Sequence, residues 1–249
     1  MNIILITVVL FAGLVGAALL GRRVHRYIPE EHLSSDSRDA VKLAMGLVAT
    51  MTALVLGLLV SSAKGAYDTK RSEVIEMAAK IALLNRVLVL YGSEADQARG
   101  ELRESVADAM QRIWPAEGNN PEQFEPKAGF GVYGAIQGLS PLDDTQRALK
   151  THAVTLMVDL GTLRSMLVAQ SIPSISKPML IILVSWLVII FVGFSIIAPP
   201  NATTMLALVT SAFSVACAIF LILELDQPFG GLIRIPSDPI ANVLKYLAK

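Results

Sequence analysis

The chain is poor in the residues from which soluble enzymes build their sites. It holds a single cysteine, Cys217, inside an apolar run, so no intramolecular disulfide forms. Its three histidines, His25, His32 and His152, show no metal-ligand spacing with one another or with Cys217, which argues against a zinc centre or any other metal site. There is no G-x-S-x-G, no P-loop, no H-E-x-x-H and no C-x-x-C. A lone G-x-G-x-x-G at Gly129, Gly131 and Gly134 follows no hydrophobic strand and sits in no βαβ pattern, so it does not read as a nucleotide loop. No catalytic set and no cofactor are expected, and the chain does not read as an enzyme. Charge is scarce too: 17% of residues are charged, against roughly 25% in an average soluble domain. Lys+Arg and Asp+Glu both number 21, and the absence of a basic surplus argues against a nucleic-acid partner.

What is present is apolar. Hydrophobic residues make up 53% of the 249, and the mean hydropathy is +0.57. A transmembrane helix needs about 20 mostly apolar residues, and four stretches qualify, at about residues 2–20, 41–63, 178–198 and 203–223. The lipid bilayer is thus the first partner. The first stretch has no basic leader, exceeds a signal peptide's apolar core and precedes no A-x-A site, so it is expected to be retained as an anchor. The spans form two hairpins. A polar loop joins the first pair, and only Pro199-Pro200-Asn201-Ala202 joins the second. That uncharged turn places both termini and the long middle segment on the cytoplasmic side under the positive-inside rule. The basic cluster Arg22, Arg23, Arg26 and Arg38 in the first loop pulls the other way.

Residues 64–177 are expected to form a water-facing helical bundle. Val74, Met77, Ile81, Leu84, Leu88 and Tyr91 recur three and four apart, as do Leu149, Ala153, Leu156, Leu160, Leu163 and Leu167. Two such stripes suit packing within the chain or between subunits. Ser140, followed by Pro141, is the expected N-cap of the second helix. Residues 114–140, rich in Pro and Gly, read as an irregular loop. No Gly–Pro breaker separates Lys64 from Tyr91, so the second span is expected to run on into the bundle as one helix of about 50 residues.

Three sets of residues stand out as candidate sites. Gly13, Ala17 and Gly21 in the first span, and Ala49, Ala53 and Gly57 in the second, repeat every four residues and suit close helix packing in lipid. Thr50 and Ser61 add hydroxyls to the second span, either for a pore wall or for bonds to their own helix. The fourth span ends in Glu224, Asp226, Gln227, Pro228, Phe229 and Gly230. Carboxylates oppose the dipole at a helix C-terminus, so they call for a cationic or backbone partner, or mark ordinary interfacial charge before a Pro-Gly stop. Residues 224–249 then finish as this turn and a short amphipathic tail carrying Ile240, Val243, Leu244 and Leu247.

Leu54-Val55-Leu56-Gly57-Leu58-Leu59-Val60, leading to Lys64, Tyr67 and Arg71, resembles the neck helix of bestrophins. Gln227-Pro228-Phe229-Gly230 resembles the bestrophin Pro-Phe-Gly turn. The layout is similar to that of a bacterial bestrophin-like membrane family described as a domain of unknown function. The resemblance implies a multi-pass protein of the bacterial inner membrane, with an all-α, bestrophin-like fold. It also implies a homo-oligomer, pentameric if truly bestrophin-like, that conducts chloride or another small anion. Thr50, Leu54, Val55, Leu58 and Ser61 would then line the pore, with residues 55–60 as a dry constriction. Two departures matter: residues 55–60 hold no aromatic, and Gly231-Leu232-Ile233-Arg234-Ile235 replaces the acidic calcium-binding cluster. A non-conducting scaffold or sensor, whose bundle binds a protein partner, is the alternative.

Overall fold

Lipid offers no hydrogen-bond partner to an unpaired backbone N–H or C=O, so a long apolar run can cross it only as a helix or within a closed barrel. The computed structural model takes the helical solution throughout. It describes residues 3–27, 35–114, 130–170, 176–199 and 201–247. These form α1 (Ile3–His25), α2 (Ser35–Tyr91), α3 (Asp96–Ile113), α4 (Phe130–Gln137), α5 (Asp144–Ala169), α6 (Lys177–Ile197), α7 (Ala202–Leu225) and α8 (Asp238–Leu247), with no strand among the described residues. Among the described residues, α1, α2, α6 and α7 are the four helices long and apolar enough to cross a membrane. The sequence expectations that fell on His32, Phe124 and Gly129 lie outside the described residues.

The chain divides into two compact units, Met1–Ala66 with Ser174–Asp226, and Tyr67–Pro173 with Gln227–Lys249. Helix α2 contributes to both. Its 57 residues run without a break, a length of about 85 Å at 1.5 Å per residue. It ends at Gly92, whose φ of 117° suits a residue without Cβ.

In the membrane unit, α1 packs against α6 and α7. Leu14, Ala17 and Ala18 of α1 are buried, as are Leu183, Leu187 and Phe191 of α6 and Ala212, Ala216 and Ile219 of α7. Leu14 lies three and four residues from Ala17 and Ala18, and the other two sets recur three or four apart, so each falls on one face. The closest approach is at Gly21: a Cβ there would lie 2.5 Å from the Val192 carbonyl oxygen and 2.9 Å from Ser195 Cβ. Beside it the Ser195 hydroxyl donates to the Ala18 carbonyl, and His25 Nδ1 donates to the Ile196 carbonyl at 2.6 Å. Ala18, Gly21 and His25 near the end of α1 meet Val192, Ser195 and Ile196 near the end of α6, so the two C-terminal ends lie together. Helix α1 also continues past the apolar run through Arg22 and Arg23. The apolar run ends where lipid does, but basic residues suit a helix C-terminus and carry it one turn further. Phe11 and Phe213 meet edge to face at 6.2 Å between centroids.

In the second unit, the two apolar stripes are largely buried. Val74, Ile81, Leu84, Leu88 and Tyr91 of α2 are enclosed, together with Ala153, Leu156, Leu163 and Leu167 of α5 and Leu102 and Val106 of α3. Where water surrounds such a bundle, burial itself stabilises it, by about 1.5–3 kcal/mol for each large aliphatic side chain fully enclosed. Polar contacts set the register. Gln170 Nε2 donates to Glu73 Oε1 at 2.7 Å, Lys80 to Asp159 at 2.7 Å, and Gln146 Nε2 to the Tyr91 carbonyl at 3.1 Å. These three pairs run α5 antiparallel to α2. Arg99 Nε donates to Asn85 Oδ1 at 3.3 Å, which turns α3 back along α2 as well.

Two local expectations change. The N-cap of α5 is Asp143 rather than Ser140: its carboxylate accepts from the Gln146 amide at 2.6 Å, while Gln146 Oε1 accepts from the Leu142 amide at 2.8 Å. This reciprocal pairing satisfies two backbone donors, which a lone serine three residues earlier does not. Within the stretch read as an irregular loop, Phe130–Gln137 forms α4, because Val132 and Ile136, one turn apart, are buried together. Lys150 fastens its end by donating to the Gln137 and Leu139 carbonyls, both at 2.7 Å.

Gly21→Ala is expected to destabilise the membrane unit by about 1–3 kcal/mol through overpacking. Gly13→Ala, where a Cβ meets nothing within 4 Å, is the neutral control. Thermal unfolding in detergent reads the difference, and equal stability of the two would contradict the close approach. Asp143→Ala should cost about 1 kcal/mol as a lost cap, seen as faster amide exchange in the first turn of α5.

Candidate functional site

The second helix presents two unlike faces to its surroundings within the membrane unit. Met45, Thr52, Leu59 and Ala63 are buried. They are spaced by seven, seven and four residues, which keeps them on one face at 3.6 residues per turn. Thr52 belongs there because its hydroxyl donates to the Val48 carbonyl at 2.7 Å and needs no other partner. Roughly opposite lie Thr50, Leu54, Leu58 and Ser61, all exposed. Leu54 is 65% exposed and Leu58 64%, against 4% for Leu59 next in sequence. Val55 sits between the two faces and is half-buried. The Thr50 hydroxyl donates to the Gly46 carbonyl at 2.9 Å, so it presents its lone pairs and methyl group outward.

The small-residue rows are used unequally within the chain. In α1, Ala17 is buried and Gly21 meets α6, whereas Gly13 is exposed with open space around it. In α2, Ala49 is half-buried, Ala53 is exposed, and a Cβ at Gly57 would meet nothing within 4 Å. The α2 row therefore borders the exposed face rather than a neighbouring helix of the same chain.

At the end of α7, Glu224 is buried, 2% exposed, and Asp226 is the C-cap, its amide donating to the Ile222 carbonyl at 3.2 Å. In the second unit, the Gln227 carbonyl accepts from the Gly230 amide at 3.1 Å, and that of buried Pro228 accepts from the Ile235 amide at 2.7 Å. Phe229 meets Trp114 edge to face, 5.8 Å between centroids, and Trp114 Nε1 donates to the Ile235 carbonyl at 2.9 Å. The Pro-Phe-Gly turn is thus closed by its own backbone and held by an aromatic contact. The sequence places Trp114 at the start of an irregular loop, and its packing on this turn joins segments too distant for periodicity to reveal. Among the described residues, no group of three His, Cys, Asp or Glu side chains converges to hold a metal ion.

Comparisons with known proteins place this arrangement. The chain is similar to a solved crystal structure, a bacterial bestrophin homolog from Klebsiella pneumoniae carrying one mutation. The TM-score is 0.57 at 12% sequence identity, with 97% of each chain covered. At that identity the likeness speaks for the fold. No curated protein matches. A family model described as the Bestrophin-like domain matches residues 12–240, nearly the whole chain, including both α2 and the Pro-Phe-Gly turn. This four-span, all-helical membrane protein belongs to the Bestrophin-like family.

Proposed function

We propose that the protein is an oligomeric anion-conducting pore of the bacterial inner membrane, lined by the exposed face of α2. The observation that carries this reading is the division of α2 into a buried face (Met45, Thr52, Leu59, Ala63) and an exposed one (Thr50, Leu54, Leu58, Ser61). The open Ala49, Ala53 and Gly57 row lies beside the exposed face. Small residues of this kind let a second helix approach closely in lipid, where packing rather than the hydrophobic effect drives association. A ring of copies joined along that row turns Leu54 and Leu58 toward a shared axis, where an apolar constriction gates by dewetting. Chemistry favours anions over cations there: residues 41–63 contain no carboxylate, with Lys42 near their start and Lys64 just beyond their end. A pentamer is the stoichiometry the family resemblance supplies. The termini and the water-facing unit are assigned to the cytoplasm, because the uncharged turn at residues 199–202 suits the opposite side under the positive-inside rule.

Purified protein in liposomes is expected to carry chloride down a gradient. Leu58→Ala and Leu54→Ala should raise the basal flux severalfold by widening and wetting the constriction. No flux from the wild type or from either variant would overturn the pore and favour the alternative, a non-conducting scaffold whose bundle binds a protein partner.

A further inference from the structure

The exposed face of α2 does not stop where its apolar run ends. Beyond Ser61 it continues through Asp68, Ile75, Ala79, Leu83, Arg86 and Leu90, all exposed and spaced by seven, seven, four, four, three and four residues. At about 100° per residue, these positions and Thr50, Leu54, Leu58 and Ser61 fall within roughly 100° of arc on one unbroken helix. The flanks of this second stretch are occupied by the chain itself. Asn85 accepts from Arg99 of α3 on one side, and Glu73 and Lys80 meet Gln170 and Asp159 of α5 on the other. The face between them stays open, with Ile75 48%, Leu83 42% and Leu90 65% exposed.

Arg86 stands out on it. A guanidinium keeps its charge at any physiological pH, and among the described residues Arg86 has no hydrogen-bond or ion-pair partner. Other arginines of this unit are held by carboxylates: Arg99 by Asp96, Arg112 by Asp108 and Arg147 by Asp144. The carboxylates along the face do not cancel it. Asp68 lies eighteen residues back, about 27 Å along the axis, and Glu76 ten residues back, about 15 Å, both beyond a Debye length of about 8–10 Å. Glu76 also lies 3.7 Å from Lys80, and exposed Arg71 stands one turn from Asp68. Glu94, past the turn at Gly92, makes no ion pair with Arg86.

The four residues proposed to line the constriction, Thr50, Leu54, Leu58 and Ser61, carry no charge of either sign. A dry aliphatic gate opposes all hydrated ions, so the sign of the permeant ion has to be set elsewhere along the face. We propose that Arg86 is the anion-selecting residue of this protein. The proposal rests on the pore reading above: copies arranged around an axis repeat Arg86 as a ring at the far mouth of the pathway, about 42 Å from Leu58 along α2. Rings of Arg or Lys serve anion pores in this way, and a mouth lined by one sign of charge raises the local counter-ion concentration about tenfold or more. The ring thus concentrates chloride and repels potassium, while Leu54 and Leu58 gate.

The test measures reversal potentials of the full-length protein in planar bilayers under a potassium chloride gradient. Arg86→Glu is expected to lower the chloride-to-potassium permeability ratio roughly tenfold. Arg86→Gln should lower it less, and Arg86→Lys should keep it. Arg103→Glu controls for surface charge in general, because Arg103 is an exposed, unpaired residue of α3, off the α2 face; it should leave the ratio unchanged. An unaltered ratio in Arg86→Glu, or in Arg86→Gln should the first variant carry no current, would overturn the selecting role and leave the pore standing. An equal fall in Arg103→Glu would also overturn it. No current from the wild type would remove the pore and the ring together.

Discussion

Hydrocarbon cannot hydrogen-bond a backbone, and most of this structure follows from that. Each apolar run must satisfy its own N–H and C=O groups, so the membrane unit has helices and little freedom beyond how they pack. Inside lipid an apolar side chain gains little by leaving it, so packing depends on closeness of approach. Gly21 lets α1 come within contact distance of the Val192 carbonyl, and Ser195 and His25 then bond the Ala18 and Ile196 carbonyls across the same seam. That seam ties the first hairpin to the second.

Helix α2 obeys the same constraint with a different outcome. It buries Met45, Thr52, Leu59 and Ala63 and leaves Thr50, Leu54, Leu58 and Ser61 outside. In water such a face would demand cover; in a bilayer it can rest against lipid or against further copies. The small residues beside it incline the balance toward copies, and this is why the proposed pore is an assembly property rather than a cavity within one chain. Past its apolar run the same helix enters the second unit, which is proposed to face water, and there the rules reverse. Its stripe from Val74 to Tyr91 gains by burial and is covered by α3 and α5.

The spans were legible because lipid demands long runs free of charge, a signal that depends on composition and hardly on context. The length of α2 was legible for a similar reason: nothing between Lys64 and Tyr91 breaks a helix, and Gly92 does. Shorter-range choices were less so. Ser140-Pro141 is a good start for a helix in isolation, and only the mutual bonds of Asp143, Leu142 and Gln146 decide against it. Helix α4 has eight residues, too few for a periodic signal, and exists because α3 and α5 receive Val132 and Ile136. The Trp114–Phe229 contact joins residues far apart in the chain, which periodicity does not reveal. As for α2, its pattern marked candidate residues, and the fold separates them into faces: Thr50, Leu54, Leu58 and Ser61 together, Val55 at the edge.

Thiol accessibility along α2 tests the conduction face most directly. In a Cys217→Ser background, single cysteines replace Thr50, Leu54, Leu58 and Ser61 on one face and Met45, Thr52, Leu59 and Ala63 on the other, and chloride flux is followed while a charged, water-soluble thiol reagent is added. The account predicts that flux changes sharply at the first four positions and stays unchanged at the second four. Modification that alters flux at the buried positions and spares Leu54 and Leu58 would contradict it.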